Sequence, residues 1–496
     1  MGQQQGRLHM IRRTTDGQDV VTAILGALTL ALMITLTPPP ARAASQLRTV
    51  DVSAVAPAGS FNGITYVRVA GTVHGVVAPG EDVVGLDTLP KDATGHYAYA
   101  SAFELIVPAQ GEPANEALYV DAENRGSAVS QGALGGFLQA HATSYARVQW
   151  QAGISPGVPA NAQGVGLVIL RDFARWLAGR TPDVVMRGDW KPAAHNKLIL
   201  GGISQSAWTV NTFVAEGFNV DPIRRTRVFD GALAIDSVGG WLAINRIAAQ
   251  RGLTTQTPYL DPNGRPLSRQ ALLSRPRTDP VYVDVANFTD FYRLRAGLTS
   301  TPYSSPTFRR YDFPSPHAVG SAISPCNGGA PITYNALRYA PYMRALVLGL
   351  EKAIGVKTAS GAHSLPASRV FVLDPAPHGV PWFNPLPGVA VKTPVLDANG
   401  WPKGGVRFPE ADLPLGRPYP PSVSPVTTAS ISQTCGNSSG FQPFSPDALR
   451  VAGLGDPGIY AARYRAAVGR LVAEGFLLAE DLPAMLKAAR ERFEAR

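Results

Sequence analysis

The run KLILGGISQSAWTVNTFVAE, residues 197–216, changes character at Ser204. Before it, Lys197 to Gly201 is an almost unbroken apolar run bounded by glycines, which reads as a strand buried on both faces. After it, Ala207 to Glu216 carries apolar residues at helical spacing. Gly202-Ile203-Ser204-Gln205-Ser206 joins the two and matches G-x-S-x-G except for a serine in the last position. Such a junction serves a nucleophile. The chain turns sharply out of the strand, presents the hydroxyl, and enters a helix whose first N–H aims at a developing oxyanion. Ser206 is small enough to sit where strand and helix approach.

A second stretch, Gly153-Ile154-Ser155-Pro156-Gly157, matches the motif to the letter. Chemistry argues against it: the residue after the serine is Pro156, which has no N–H to give, and further prolines follow where a helix is needed. The sequence therefore predicts Ser204 as nucleophile and the Gln205 N–H as one oxyanion donor.

Working outward, strand-like and helical runs alternate: Ala117 to Ala122, Ala146 to Trp150, a helix over Gly164 to Leu177, the stretch above, and Arg227 to Ile235. Val281 to Ala286 and Phe308 to Phe313 read as further strands, and Ala336 to Ala353 as a helix. This alternation predicts an α/β fold with a mostly parallel sheet flanked by helices. An N-terminal β-rich region, from about Thr65 to Val107, precedes it. Residues 236–279 and 375–444 turn irregular and read as cap or loop insertions. From Gly455 helical periodicity returns, with Gly475 a stop and Asp481-Leu-Pro483 a restart. Residues 44–496 are expected to form one elaborated domain.

Several pieces in order resemble a poorly characterised family of bacterial α/β-hydrolase-domain proteins with an S-Q-S-G…G-F-N…V-F-D-G signature. They are Ser204-Gln205-Ser206, Gly217-Phe218-Asn219 and Val228-Phe229-Asp230-Gly231. Asn124-Arg125-Gly126, Trp150-Gln151, Arg171-Asp172, Gly455-Asp456-Pro457 and Arg463-Tyr464 fit the same pattern. Ala207 and Trp208 depart from it, since the family carries Gly-Arg there. The resemblance implies the α/β-hydrolase fold and hydrolase chemistry, without naming a substrate.

In that fold the acid and then the histidine follow the serine. Of eight histidines only His317, His363 and His378 lie after Ser204. His317 follows the strand Phe308 to Phe313 by a short turn, and Ser315-Pro-His317-Ala-Val-Gly320 resembles the family's G-x-x-H-G segment. His378, in a proline-rich loop, is its rival. The acid is expected after Val281 to Ala286, where Asp290 fits and would hold the imidazole. Asp284 and Asp312 lie inside strands and fit less well, and the bland reading of Asp290 is a helix cap. A second oxyanion donor is expected in the loop after Ala122, from the N–H of Gly126 or Ser127, with a plain turn as the alternative.

Residues 1–43 read as a signal peptide. Arg7, Arg12 and Arg13 precede an apolar run over Val20 to Leu36, and Ala41-Arg-Ala43 offers a cleavage site. The run falls short of the roughly 20 residues that span a bilayer comfortably, which disfavours an uncleaved anchor. Export to the periplasm or medium makes Cys326 and Cys435, the only two cysteines, a natural disulfide. The formal net charge of +9 is scattered and forms no basic run, so nucleic acid is not the expected partner. No metal-ligand spacing and no glycine-rich phosphate loop occurs, so no metal and no cofactor is expected. The predicted activity is a secreted serine hydrolase acting on carboxylic esters, small or polymeric, without membrane attachment once the leader is removed. Trp241, Trp382 and Trp401 are candidate cap residues, with ordinary core packing as their other reading. The same machinery acting on amides, or a hydrolase-like binding protein without turnover, are the alternatives. Oligomeric state is not legible.

Overall fold

The computed structural model describes residues 44–245, 258–259, 267–317, 333–374, 392–419, 437 and 439–495. The main elements are β1 (Gln46–Phe61), β2 (Ile64–Val77), β3 (Tyr97–Pro108), β4 (Ala117–Ala122), β5 (Thr143–Val148), α1 (Val165–Leu177), β6 (Val185–Arg187), β7 (Lys197–Ile203) and α2 (Gln205–Ala215). They continue with β8 (Gly231–Ile235), β9 (Val281–Asn287), α3 (Asp290–Arg293), β10 (Phe308–Phe313), α4 (Ala340–Ala353), α5 (Pro457–Ala473) and α6 (Leu482–Glu494). All ten strands form one sheet in the order β10-β9-β8-β7-β4-β5-β3-β2-β1-β6.

The half that holds Ser204, Asp290 and His317 is parallel, from β5 through β4, β7, β8 and β9 to β10. Its strands read as continuous apolar runs because both faces are covered. Every residue of β4, β8 and β9 is buried. Along β7, Leu198 and Leu200 pack into the layer holding α1 and α2, while Ile199 packs into the layer holding α4, α5 and α6. Each strand thus glues two helical layers, and the strand ends are left to carry function.

The N-terminal half is antiparallel apart from the short parallel pair β1–β6, and it is larger than the sequence suggested. β3 alternates buried and half-buried residues with period 2, as a one-sided strand should. β1 pairs with β2 along its length, interrupted by bulges at Leu47/Thr49, Val52/Ala54 and Pro57/Gly59. Three-residue β6 then joins β1 only at Thr49, Val50 and Asp51.

α1 buries charge as well as apolar surface. Arg171 binds both oxygens of Glu81, at 2.7 and 3.1 Å, and Arg175 reaches Asp172 at 3.0 Å and Asp221 at 3.3 Å. Arg175 also donates to the Ser45 carbonyl at 3.1 Å. The Arg171-Asp172 pair of the family pattern is therefore structural: it ties the start of β1 to the helix.

Boundaries moved where local chemistry required it. The helix expected from Ala336 begins at Ala340, with Pro341 in the first turn, where its missing N–H costs nothing. The strand expected over Ala146 to Trp150 runs from Thr143 to Val148, and Trp150 instead donates its indole N–H to the Glu123 carbonyl at 2.9 Å. Within the irregular stretches, Trp241–Leu242 pairs with Pro258–Tyr259, and Gly416–Tyr419 and Gly440–Pro443 join Thr333–Tyr334 in a small antiparallel sheet. Trp401 belongs to the core rather than to a cap: it is 1% exposed and donates to the Gly416 carbonyl at 3.2 Å. Trp241 is half-buried. Trp382, His378, Cys326 and Cys435 lie outside the described residues. Among the described residues no helix is long and apolar enough to cross a membrane.

Candidate active site

β7 ends at Ile203 and α2 begins at Gln205, so one residue makes the turn. Ser204 takes φ 60° and ψ −122°, a conformation that side chains rarely adopt and that persists only when the surroundings impose it. The surroundings are specific. A Cβ on Gly202 would stand 2.5 Å from the Ser206 backbone, and one on Gly201 would stand 1.7 Å from the Tyr119 hydroxyl. The Ser206 Oγ accepts from the Ile203 N–H at 2.8 Å and donates to the Ile203 carbonyl at 2.9 Å. The serine in the last motif position thus staples the elbow across its own neck. Ser204 itself is half-buried, donates its N–H to the Ile235 carbonyl at 2.9 Å, and accepts from Trp208 N–H at 3.1 Å. Ala207 and Trp208, where the family pattern is broken, are buried beneath the elbow.

Across the sheet, β8, β9 and β10 deliver their own residues to the same edge. His317 Nδ1 lies 2.9 Å from Asp290 Oδ1, and both residues are buried. The His317 N–H donates to Thr289 Oγ1 at 2.8 Å, and the Asn287 N–H donates to Asp290 Oδ2 at 2.8 Å. Burial works against ionising Asp290. The facing imidazole, its hydrogen bond, the side-chain contact with Asp236 and the Asn287 N–H outweigh that effect and hold the carboxyl below its ordinary range. Among the described residues no hydrogen bond joins the Ser204 hydroxyl to His317; the two sit on the same strand-end edge.

One residue of this cluster was not singled out from the sequence. Asp236, directly after β8, brings Oδ2 to 3.5 Å from His317 Nδ1, and its Oδ1 accepts from Asn287 Nδ2 at 2.6 Å. Asn287 in turn accepts from the Ser315 hydroxyl. Three strand ends are thereby tied together. An acid immediately following a fully apolar strand was the available signal, since ligands and catalytic groups gather at the carboxyl ends of parallel strands. Asp236, Asp290 and His317 also offer donor atoms within 4.8 Å of one another, a grouping that sequence spacing could not reveal.

The loop after β4 is a tight turn closed by reciprocal bonds between Asn124 and Ser127, each 2.9 Å. Arg125 and Gly126 both take positive φ, 49° and 79°, the pattern of a type I′ turn. Ser127 is corrected as an oxyanion donor, because its N–H is already given to the Asn124 carbonyl. Gly126 is the other central residue of this turn. The turn docks on the elbow directly: the Arg125 N–H donates to Gln205 Oε1 at 3.1 Å and Asn124 Nδ2 to the Ile203 carbonyl at 3.1 Å. The Gln205 N–H lies in the first turn of α2, where helix geometry leaves it without a helical acceptor.

The remaining candidates have structural occupations. Ser155 Oγ donates to the Gln149 carbonyl at 2.6 Å within a turn. Asp284 and Asp312 both bind Arg310, at 2.5 and 2.8 Å.

A family model described as "Alpha/beta hydrolase domain" matches residues 48–487. Among curated proteins none matches the sequence. Solved structures with some likeness include a serine hydrolase without lid from Xanthomonas campestris, at 10% identity and TM-score 0.21. That match covers 38% of this chain and 66% of the other. A rice cell wall degrading esterase from Xanthomonas oryzae, in a mutant form, matches at 13% identity and TM-score 0.25, over 43% of this chain and 58% of its own. A glucuronoyl esterase from Teredinibacter turnerae matches at 12% identity and TM-score 0.27, over 53% and 68%. The chain thus spans less than two thirds of the first two.

Proposed function

The chain belongs to the alpha/beta hydrolase domain family, and on that premise we propose that it is a serine hydrolase that cleaves carboxylic esters through an acyl-enzyme on Ser204. The observation that carries this reading is the elbow: a half-buried serine held at φ 60° between a parallel strand and a buried helix. Its supporting partners are the bonded pair His317 and Asp290 on the same strand-end edge.

The chemistry follows from the atoms available. Ser204 Oγ attacks the ester carbonyl while its proton passes to His317 Nε2. Asp290 holds Nδ1–H and favours the imidazolium that forms. The oxyanion is met by the N–H of Gln205 and, across the cleft, that of Gly126. Collapse breaks the bond to the alkoxy oxygen, which leaves with the histidine's proton. Water then attacks the acyl-enzyme, gives a proton to His317, and Ser204 recovers its own as the acid departs. Closing of the imidazole onto the serine belongs to the substrate-bound state, since such bonds are often long in the free enzyme. We further propose that the apolar leader exports the protein and that Cys326 and Cys435 pair after export.

The test is turnover of a chain-length series of p-nitrophenyl esters, with matched anilides, by the chain from residue 44 onward, Ser204→Ala and Ser155→Ala. Loss of ester turnover in Ser204→Ala alone supports the reading. Faster cleavage of anilides would move it to an amidase, and a wild type that neither turns over nor reacts with an active-site phosphonate would make it a binding protein.

A further inference from the structure

We propose that Asp236 is a second carboxylate of the triad, a positioning residue that shares the Nδ1 side of His317 with Asp290. The proposal rests on the reading of Ser204 and His317 given above. Its ground is construction rather than mere nearness. Asp236 takes φ 61° at the end of β8, a left-handed conformation one strand away from the like turn of Ser204. Its N–H donates to the Val285 carbonyl on β9 at 2.8 Å, and Asn287 Nδ2 holds Oδ1 at 2.6 Å. With backbone and one oxygen fixed from β9, the other oxygen is left 3.5 Å from His317 Nδ1.

The groups facing this carboxyl come from every element around it: Asp290 after β9, His317 after β10, and the Tyr339 phenol before α4. Burial, then the nearness of Asp236 and Asp290, pushes the Tyr339 phenol well above its ordinary value, so it stays neutral. Two buried carboxyl groups this close do not both ionise cheaply, and such a pair titrates as a unit that holds one proton between them. The proton on one acid supports the charge on the other, and the pair presents a single negative charge to the imidazolium. Either member alone is then able to hold Nδ1–H, at 2.9 Å from Asp290 or after a small shift from Asp236.

This gives a distinctive pattern of losses. Where a lone triad acid is replaced by its amide, turnover falls about 10⁴-fold. Here Asp290→Asn is expected to lose only about 10- to 100-fold, Asp236→Asn under tenfold, and the double variant about 10⁴-fold. Both amides are isosteric, and melting temperatures near wild type establish that each variant is folded. If Asp290→Asn is already as slow as the double variant, the proposal is overturned. A second readout does not need turnover: the imidazole of His317 is titrated by ¹⁵N NMR in a Ser204→Ala background. Adding Asp236→Asn to Asp290→Asn should lower its midpoint by about one unit or more, because the last facing negative charge is lost. No change overturns the proposal. A shifted midpoint in that background, together with a Ser204-containing wild type that hydrolyses no ester, would support the carboxylate pair while refuting the esterase reading, so the two failures are separable.

Discussion

The Ser204 N–H bonds to the Ile235 carbonyl at 2.9 Å, so the backbone of the elbow serine is anchored to the residue directly before Asp236. The elbow and the acid end of the site are therefore one hydrogen-bonded ledge across β7 and β8. Movement of either strand end displaces both.

The neck of the elbow is held by Ser206. Ser206→Ala removes the acceptor of the Ile203 N–H, while the Ile203 carbonyl keeps its bond from Asn124 Nδ2. A cost of about 1–3 kcal/mol is expected for leaving that N–H unpaired, read by urea unfolding. A fall in kcat larger than that in stability would show that the turn geometry, not the fold alone, depends on this bond.

On the proposed mechanism Gln205 serves through two different atoms. Its side-chain oxygen holds the Arg125 N–H, and so the turn that carries Gly126. Gln205→Ala keeps the main-chain donor and releases the turn, so kcat should drop about 10- to 100-fold, no more than the roughly 10²- to 10³-fold loss that follows outright removal of an oxyanion donor. Gln205→Glu, which keeps an acceptor, should recover most of it. Equal losses in both would assign the effect to packing.

The charges inside α1 are a stability device. Asp172 is fully buried between Arg171 and Arg175. Asp172→Ala takes one carboxylate from two buried guanidinium groups, leaving Arg171 with Glu81 and Arg175 with Asp221, and should cost about 3 kcal/mol, the low end for breaking a buried ion pair. Ester turnover at a temperature where the variant is still folded should be little changed.

Two buried carboxyls should make the protein less stable as pH rises. Burial pushes Asp121 up to about 7 against the hydrogen bonds from Ser130 and Tyr145, and burial likewise pushes Glu351 up to about 7 against its bond from Thr143. Between the ordinary carboxylate range and pH 7 the folded chain binds more protons than the unfolded one. Unfolding free energy therefore falls with rising pH through that window. Asp121→Asn should flatten the slope in chemical denaturation between pH 4.5 and 7.5. An unchanged slope would mean that the carboxyl is ionised throughout.

Much of this was legible because it is local. A strand, a strained turn and a helix follow from residues 197–216, since the chemistry of an elbow needs that order in the chain. Pro156 disqualified Ser155 for the same reason. Asp290 and His317 were reachable because each follows a strand by a few residues. What escaped was set by neighbours remote in sequence. Asp236 acquires its position from Val285 and Asn287 of β9, and its place after an apolar strand does not by itself separate it from a turn acid. Ser127 looked like a donor until the closing bond of its own turn appeared. Trp401 carried no sign of whether it lay over the site or in the core, because an aromatic in an irregular segment serves either. β1 was missed as a long strand because its bulges and exposed residues blur the period-2 alternation that marks one.

Those same bulges bear on how copies of the protein meet. β6 covers β1 only at Thr49, Val50 and Asp51, so the rest of that strand is the sheet's open border. Along it Pro57 offers no donor, and each bulge throws the next donors out of step. A neighbouring molecule laid against this border finds no even ladder to extend, so the sheet resists growing from one copy into the next.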